Sequence, residues 1–315
     1  YLRYNQDTLL ALDNLNFSYD SSQAVAWDVV QGMETEAYRR ALDFYRARSA
    51  ETYVSVPRLI VGQELVQIPY SLPDDEALVE RLKWMETSKL SDTETRGKIW
   101  VEILRRTHEL GELFTVGLHP ERIALCAHAL RAVLRHARAL SSEIWIARLD
   151  EIAVWWRQRL ATTYKVTKEG EGNYRVRING PAGIVILSRN VLVEAPTTPW
   201  AAPYNRILQN ECVFRAEQLP FIGISPNTSE DLATFLRQQG YLIERSDNAG
   251  LYAYYLERKT FKPEDERPIL EELETGSWPL LRLARWPNGA RSALAVTGDI
   301  DALTLWDYGL RFLIR

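Results

Sequence analysis

Apolar residues along this chain follow two periods, and the switches between them lay out its elements. Leu9, Leu10, Leu12 and Leu15 give the apolar face of an opening helix, and Phe17 and Tyr19 a short strand after it. A helix over 37–50 is rich in arginine and aromatic residues, and β-prone runs at Tyr53–Val56 and Leu65–Ile68 follow. Pro73-Asp74-Asp75 then opens a helix over 76–85, where either aspartate reads as the N-cap. The spacing predicts further helices over 95–110, 122–140 and 149–160, with strands at Phe114–Leu118 and Ser142–Arg148 between them. Strands alternating with helices in this way mean an α/β sheet or barrel.

The pattern changes after Leu160-Ala161, where the domain boundary is expected. Runs at Tyr164–Gly170, Asn173–Gly180 and Ile184–Arg189 are separated by turn residues, and Tyr174, Val176 and Ile178 alternate strictly with polar neighbours. That alternation predicts strands with one buried and one wet face. Phe221–Ser225, a helix over 229–240, Tyr241–Arg245 and Leu251–Leu256 add strand, helix, strand and strand, and a helix over 264–273 follows. The expected division is therefore a barrel-like portion over 1–160, a smaller α+β domain over 161–289, and a closing strand and helix over 290–315.

Composition narrows the classes. The chain has 315 residues, 46% hydrophobic and 25% charged, which is the balance of an ordinary globular protein. A formal net charge of −4 leaves no basic footprint, so nucleic acid is not an expected partner. Cys126 and Cys212 are isolated and form neither a zinc motif nor a disulfide framework. No apolar run has the length of a membrane span, and no targeting segment is visible, so the compartment stays open. Core packing is the expectation for most of the ten tryptophans, although exposed ones would suit stacking on sugar rings.

Two stretches hold the candidate chemistry. In Ala293-Leu-Ala-Val-Thr-Gly-Asp-Ile-Asp301 a short strand runs into a helix, and Asp299 and Asp301, two residues apart on an extended backbone, share one face. The same spacing fits Asp301 as only the N-cap of a helix over 302–312, with Asp299 a turn residue. Upstream, His119 ends the Phe114–Leu118 strand just before Pro120, so a second strand end presents an imidazole suited to proton transfer near neutral pH. His108, His128 and His136 lie in helix-like sequence near arginines and read as solvated.

These stretches, with Tyr1-Leu-Arg-Tyr-Asn-Gln-Asp7, Phe17-Ser-Tyr-Asp-Ser-Ser22, Ile68-Pro-Tyr-Ser-Leu-Pro-Asp-Asp75 and Leu118-His-Pro120, resemble the polysaccharide deacetylase (NodB-homology) family. The resemblance implies an irregular (β/α) barrel, partial or permuted here. Tyr1 matches the last residue of the family's Arg-x-Pro-Tyr motif, Leu118-His119 its late Leu-x-His motif, and Thr297-Gly-Asp-Ile-Asp301 an Asp-x-Asp variant of its early Asp pair. The order is rearranged, because the family's late half comes first, and the family's His-x-x-x-His metal motif is missing from the four histidines. Either a segment upstream of Tyr1 carries the missing strands, as the lack of an initiator methionine suggests, or the terminal Asp pair is a partial second copy of the barrel's start.

What the resemblance implies is a metal-dependent hydrolase that removes acyl groups from N-acylated sugars of a polysaccharide. Asp299 would be the general base, Asp301 a ligand of a divalent metal such as zinc, and His119 the general acid. Tyr1 and Asp20 would lie on the substrate face. With two histidine ligands missing, the chain alone is not expected to turn over. The alternative is a non-catalytic carbohydrate-binding or regulatory module on the same scaffold. The one-site reading requires the strand ends at Leu118 and Gly298 to be neighbours, and the alternative leaves them apart.

Overall fold

A computed structural model describes residues 3–60, 62, 64–79, 84–86, 93–140 and 143–298. The first part of the chain forms α1 (Gln6–Asn14), β1 (Tyr19–Asp20), β2 (Ala24–Ala26), α2 (Glu36–Tyr45), β3 (Arg48–Ser49), β4 (Arg58–Leu59), β5 (Val66–Gln67), β6 (Tyr70–Leu72), α3 (Asp75–Val79), α4 (Thr93–Leu110), β7 (Leu113–Leu118), α5 (Ile123–Ala139), β8 (Ile144–Ile146) and α6 (Leu149–Leu160). Chain segments 19–26 and 66–72 run side by side as one irregular parallel pair. Tyr19 and Asp20 register with Val66 and Gln67, and Ala24 to Ala26 with Tyr70 to Leu72. β3 pairs in parallel on the other side of β2.

β7 is buried at every residue, as expected of a strand covered on both faces. It packs beside β6, and the contact is close: a Cβ at Gly117 would lie 1.8 Å from the Tyr70 hydroxyl. Glycine is what lets the tyrosine ring cross this strand.

The second part forms β9 (Thr163–Gly170), β10 (Asn173–Asn179), β11 (Ile186–Arg189), β12 (Leu192–Glu194), β13 (Thr197–Pro199), β14 (Asn205–Ile207), β15 (Glu211–Arg215), β16 (Leu219–Ile224), α7 (Glu230–Gln239), β17 (Ile243–Arg245), β18 (Tyr252–Leu256), α8 (Glu266–Thr275), β19 (Leu280–Leu283) and β20 (Ser292–Gly298). Two four-stranded antiparallel sheets, ordered β12-β15-β10-β9 and β13-β14-β11-β19, stand with a three-stranded parallel sheet ordered β17-β16-β18. The alternation read in β10 holds, with Val176 and Ile178 buried between exposed Arg177 and Asn179.

β20 leaves this second part and returns to the first. It lies between β7 and β8, parallel to both, with Gly298 opposite Leu118 and Ser292 opposite Ile144. The strand expected to open the closing element over 290–315 is thus the middle strand of a three-stranded sheet whose other two strands belong to the first part.

One core joins the two parts. α6 buries Leu149, Ile152, Ala153, Trp155, Trp156 and Arg159, a stripe at three- and four-residue spacing. It packs with Val54, Val56 and Leu113 of the first part and with Phe221, Leu283 and Trp286 of the second in a single apolar cluster. Trp156 and Trp286 meet at 5.6 Å between ring centroids, and both are fully buried. Core packing is therefore the role of these tryptophans.

Buried ion pairs add to the tie. Glu112 accepts from Arg267 at 2.9 and 3.2 Å and from the Ser55 backbone N–H, while Arg267 also donates to Ala50 O and Tyr53 O. Glu266 accepts from Arg58 at 2.6 and 2.7 Å and from the Val54 N–H. α8 is thereby fixed to the loop between β3 and β4.

Candidate functional site

The carboxyl ends of β6 and β7 lie together, and the side chains that follow them meet. After β6 the chain turns through Pro73 into α3, which presents Asp74 and Asp75 at its start. Asp74 does the capping: its Oδ1 accepts from the Ala77 N–H at 2.9 Å and its Oδ2 from the Tyr70 hydroxyl at 3.0 Å. That leaves Asp75 for another partner.

The partner is His119, the residue after β7. Asp75 Oδ1 lies 2.7 Å from His119 Nδ1, and Asp75 Oδ2 accepts from the His119 backbone N–H at 2.6 Å. Both residues are almost wholly buried, at 0% and 1% exposure. A carboxylate gripping a histidine at ring and backbone fixes the ring's orientation and places the proton on Nδ1. The nitrogen that exchanges protons is then Nε2, and the carboxylate stabilises the imidazolium formed when it takes one up.

The surroundings are enclosed and acidic. Burial raises the Asp74 carboxyl to about 6, and the neighbouring Asp75 adds to the rise. Burial is also the main reason that the Cys126 thiol is pushed up to about 12, with Asp75 contributing. The Tyr38 hydroxyl is raised by burial and by Asp74.

β20 brings a third strand end to this edge. Gly298, in register with Leu118, is followed in sequence by Asp299, as Leu118 is followed by His119. The neighbourhood of strand ends required by the one-site reading is present. Asp299, Asp301 and Tyr1 themselves lie outside the described residues.

Asp20 is placed elsewhere. It is buried within the irregular strand pair, accepting from the Ser22 hydroxyl at 2.7 Å, the Ser22 N–H at 3.2 Å and Gln67 Nε2 at 3.4 Å. Its register partner Gln67 precedes Asp75 along the other strand of the pair, so the structure does not bring Asp20 to His119. With Tyr4, which donates to Gln23 at 2.6 Å, it belongs to a separate polar cluster.

Two readings of single residues change. His108 is buried rather than solvated, with Nδ1 2.9 Å from the Ser292 hydroxyl and Nε2 3.3 Å from Glu143. Its ring is drawn inward because α4 packs along β20. Of the two aspartates that sequence offered as the cap, Asp74 takes that role and Asp75 is the histidine's partner. The signal was the doubled aspartate, since one carboxylate is enough to cap a helix start and the second needs a different role.

Among the described residues, no three His, Cys, Asp or Glu side chains converge in a way that could hold a metal ion. The described donors around His119 do not by themselves fit a metal site. No helix of the described residues is long and apolar enough to cross a membrane. No family model, curated protein or solved structure matches the chain.

Proposed function

We propose that the edge formed by Asp75, His119 and the end of β20 is the acid–base side of a hydrolytic site acting on N-acyl groups of a polysaccharide, of the deacetylase type, on an irregular barrel-like scaffold. The single observation that carries this is the buried Asp75–His119 pair just beyond β6 and β7, beside the parallel end of β20, at strand ends of the kind where α/β folds hold their chemistry. In amide hydrolysis the amine leaves only once it is protonated, so an imidazolium held by a carboxylate is a suitable acid. In this role His119 gives its Nε2 proton to the departing sugar amine, and Asp75 keeps the ring aligned and its charge compensated. Asp299, next in sequence after the paired Gly298, is the residue proposed to take the proton of the attacking water. Asp301 would be a ligand of the divalent metal, which when bound would polarise the acyl carbonyl and acidify that water.

The second reading, a carbohydrate-binding or regulatory module without turnover, is favoured by one feature of the sequence: its four histidines contain no His-x-x-x-His pair. One experiment separates the two. Acetate release from an N-acetylated glucosamine oligomer is measured with and without added zinc, while the His119 ring resonances are followed by NMR. A shift of the His119 signals with the acetylated oligomer, together with zinc-dependent release that is lost in His119→Ala, supports the hydrolase reading and overturns the expectation that the chain alone does not turn over. A shift without release supports the binding module, and unmoved His119 signals contradict both.

A further inference from the structure

A second polar site lies at the other end of the same strand. The cleft between Gly111, at the foot of β7, and Tyr204 encloses about 270 Å³, and Arg267, Arg282 and Arg285 line it. β7 has six residues, so this cleft is about 20 Å along the strand from His119. It is independent of the proposed hydrolytic site.

The three guanidiniums differ in how they are balanced. Arg267 is held by Glu112 through two hydrogen bonds, and Arg282 by Glu274 at 2.6 Å. Arg285, only 7% exposed, uses Nη1 for the carbonyls of Leu110 and Gly111, at 2.9 and 3.1 Å, and no carboxylate of the described residues pairs with it. Arg159, 2% exposed, lies close enough to Arg282 and Arg285 to feel both charges, and it donates only to the carbonyls of Ala284 and Gln238. Buried cations accordingly outnumber buried carboxylates around the cleft. Burial and the Arg282 charge lower Arg285 to about 10, outweighing the opposing pull of Glu112 and Glu274, which are bonded to the other two arginines. Glu109 and Glu271 stand exposed at the rim, where water screens them.

The place of Arg285 is built into the backbone. Gly111 has φ +70, and a Cβ there would lie 3.3 Å from Arg285 Nη1 and 3.1 Å from Arg291 O. Trp200 and Tyr204 line the same cleft, packed edge to face at 6.2 Å, with the Arg282 guanidinium 5.6 Å over the Tyr204 ring and the Trp200 indole donating to Gly289 O. Guanidiniums and aromatic rings lining a cleft of this size suit a small ligand with one anionic end.

We propose that this cleft binds the oxyanion group, carboxylate or phosphate, of a small ligand, with Arg285 as its anchor. A buried cation with no carboxylate bonded to it is costly, and a ligand oxyanion would reduce that cost, so binding should also stabilise the fold. The test uses the full chain at constant ionic strength, titrated with sodium phosphate or sodium acetate against sodium chloride, and reads melting temperature and heat of binding. A saturable response to phosphate alone supports a phosphorylated ligand, one to acetate alone a carboxylate, and one to both an oxyanion site of either kind. Arg285→Met should weaken the response by about tenfold or more, the worth of one charge-assisted hydrogen bond. Should Arg285→Met fail to fold, Ala201→Phe, which fills the cleft without removing a charge, decides. Loss of the response with an unchanged melting temperature in chloride supports the site. A full response in Ala201→Phe, or none to either anion in the parent chain, overturns it.

Discussion

Asp75 holds His119 at two points, one oxygen on the ring Nδ1 at 2.7 Å and the other on the backbone N–H at 2.6 Å. The double grip couples the ring's tautomer to the strand end on which it sits. Asp75→Asn keeps the shape but replaces one acceptor oxygen by an NH₂ group, so it cannot accept both protons. The expected outcome is mixed ring tautomers in a nitrogen NMR spectrum, where the parent shows Nδ1–H. Stability should fall by about 1–3 kcal/mol, the range for a buried polar group left without its partner. An unchanged tautomer in Asp75→Asn would remove the orienting role.

Asp74 makes stability depend on pH with a definite sign. Its folded carboxyl is raised to about 6 from an ordinary value of 3.8, so between those values the native state binds more protons than the unfolded one. Its contribution is therefore intact below about pH 4 and declines as pH rises to about 6, by on the order of 3 kcal/mol. Asp74→Asn can still accept from the Ala77 N–H but does not titrate. The difference in unfolding free energy between parent and Asp74→Asn should change between pH 4 and 6 and level off above; a difference independent of pH would contradict the burial argument.

Gly117 is fixed by its neighbour. A Cβ there meets the Tyr70 hydroxyl at 1.8 Å, Cζ at 2.2 Å and Cε2 at 2.6 Å, so ring carbons clash as well as oxygen. Gly117→Ala should destabilise by about 1–3 kcal/mol or more. Adding Tyr70→Phe should not restore stability, whereas Tyr70→Leu should recover part of it. Chemical denaturation of the three variants checks this order.

The pair of Glu112 and Arg267 should show strong coupling. Arg267→Met leaves a nearly unexposed carboxylate without its cation, with an expected cost of about 3–5 kcal/mol. Arg267→Met with Glu112→Gln should cost less than Arg267→Met alone. A double-mutant cycle measures this, and simple additivity would mean that the ion pair does not fasten α8 to the β3–β4 loop.

How far the sequence carried can be read from particular elements. α6 runs over the residues its apolar spacing indicated, and β7 with its terminal histidine was visible because six buried residues in a row leave a strong local signature. Local pattern has no reach across the chain, so neither the insertion of β20 between β7 and β8 nor the pairing of Asp75 with a histidine 44 positions later could be read from it. Polarity misled for His108, read as solvated from its helix-like sequence near arginines, and nothing in the local sequence marked Arg282 and Arg285 as buried. Their burial depends on Ser292, Glu274 and backbone carbonyls contributed by distant elements. Leu10 and Leu15, expected on a buried helix face, are exposed, because α1 sets only Leu9 into the core.

The most direct test of the proposed site is the separation of the His119 imidazole from the carboxylates of Asp299 and Asp301, in a crystal containing zinc and an N-acetylated oligosaccharide. The account predicts that all three face one cleft, with carboxylates and ring within one or two strand spacings, about 5 to 10 Å, and the acyl group between them. Carboxylates turned into a different cleft, with the sugar away from His119, would contradict it.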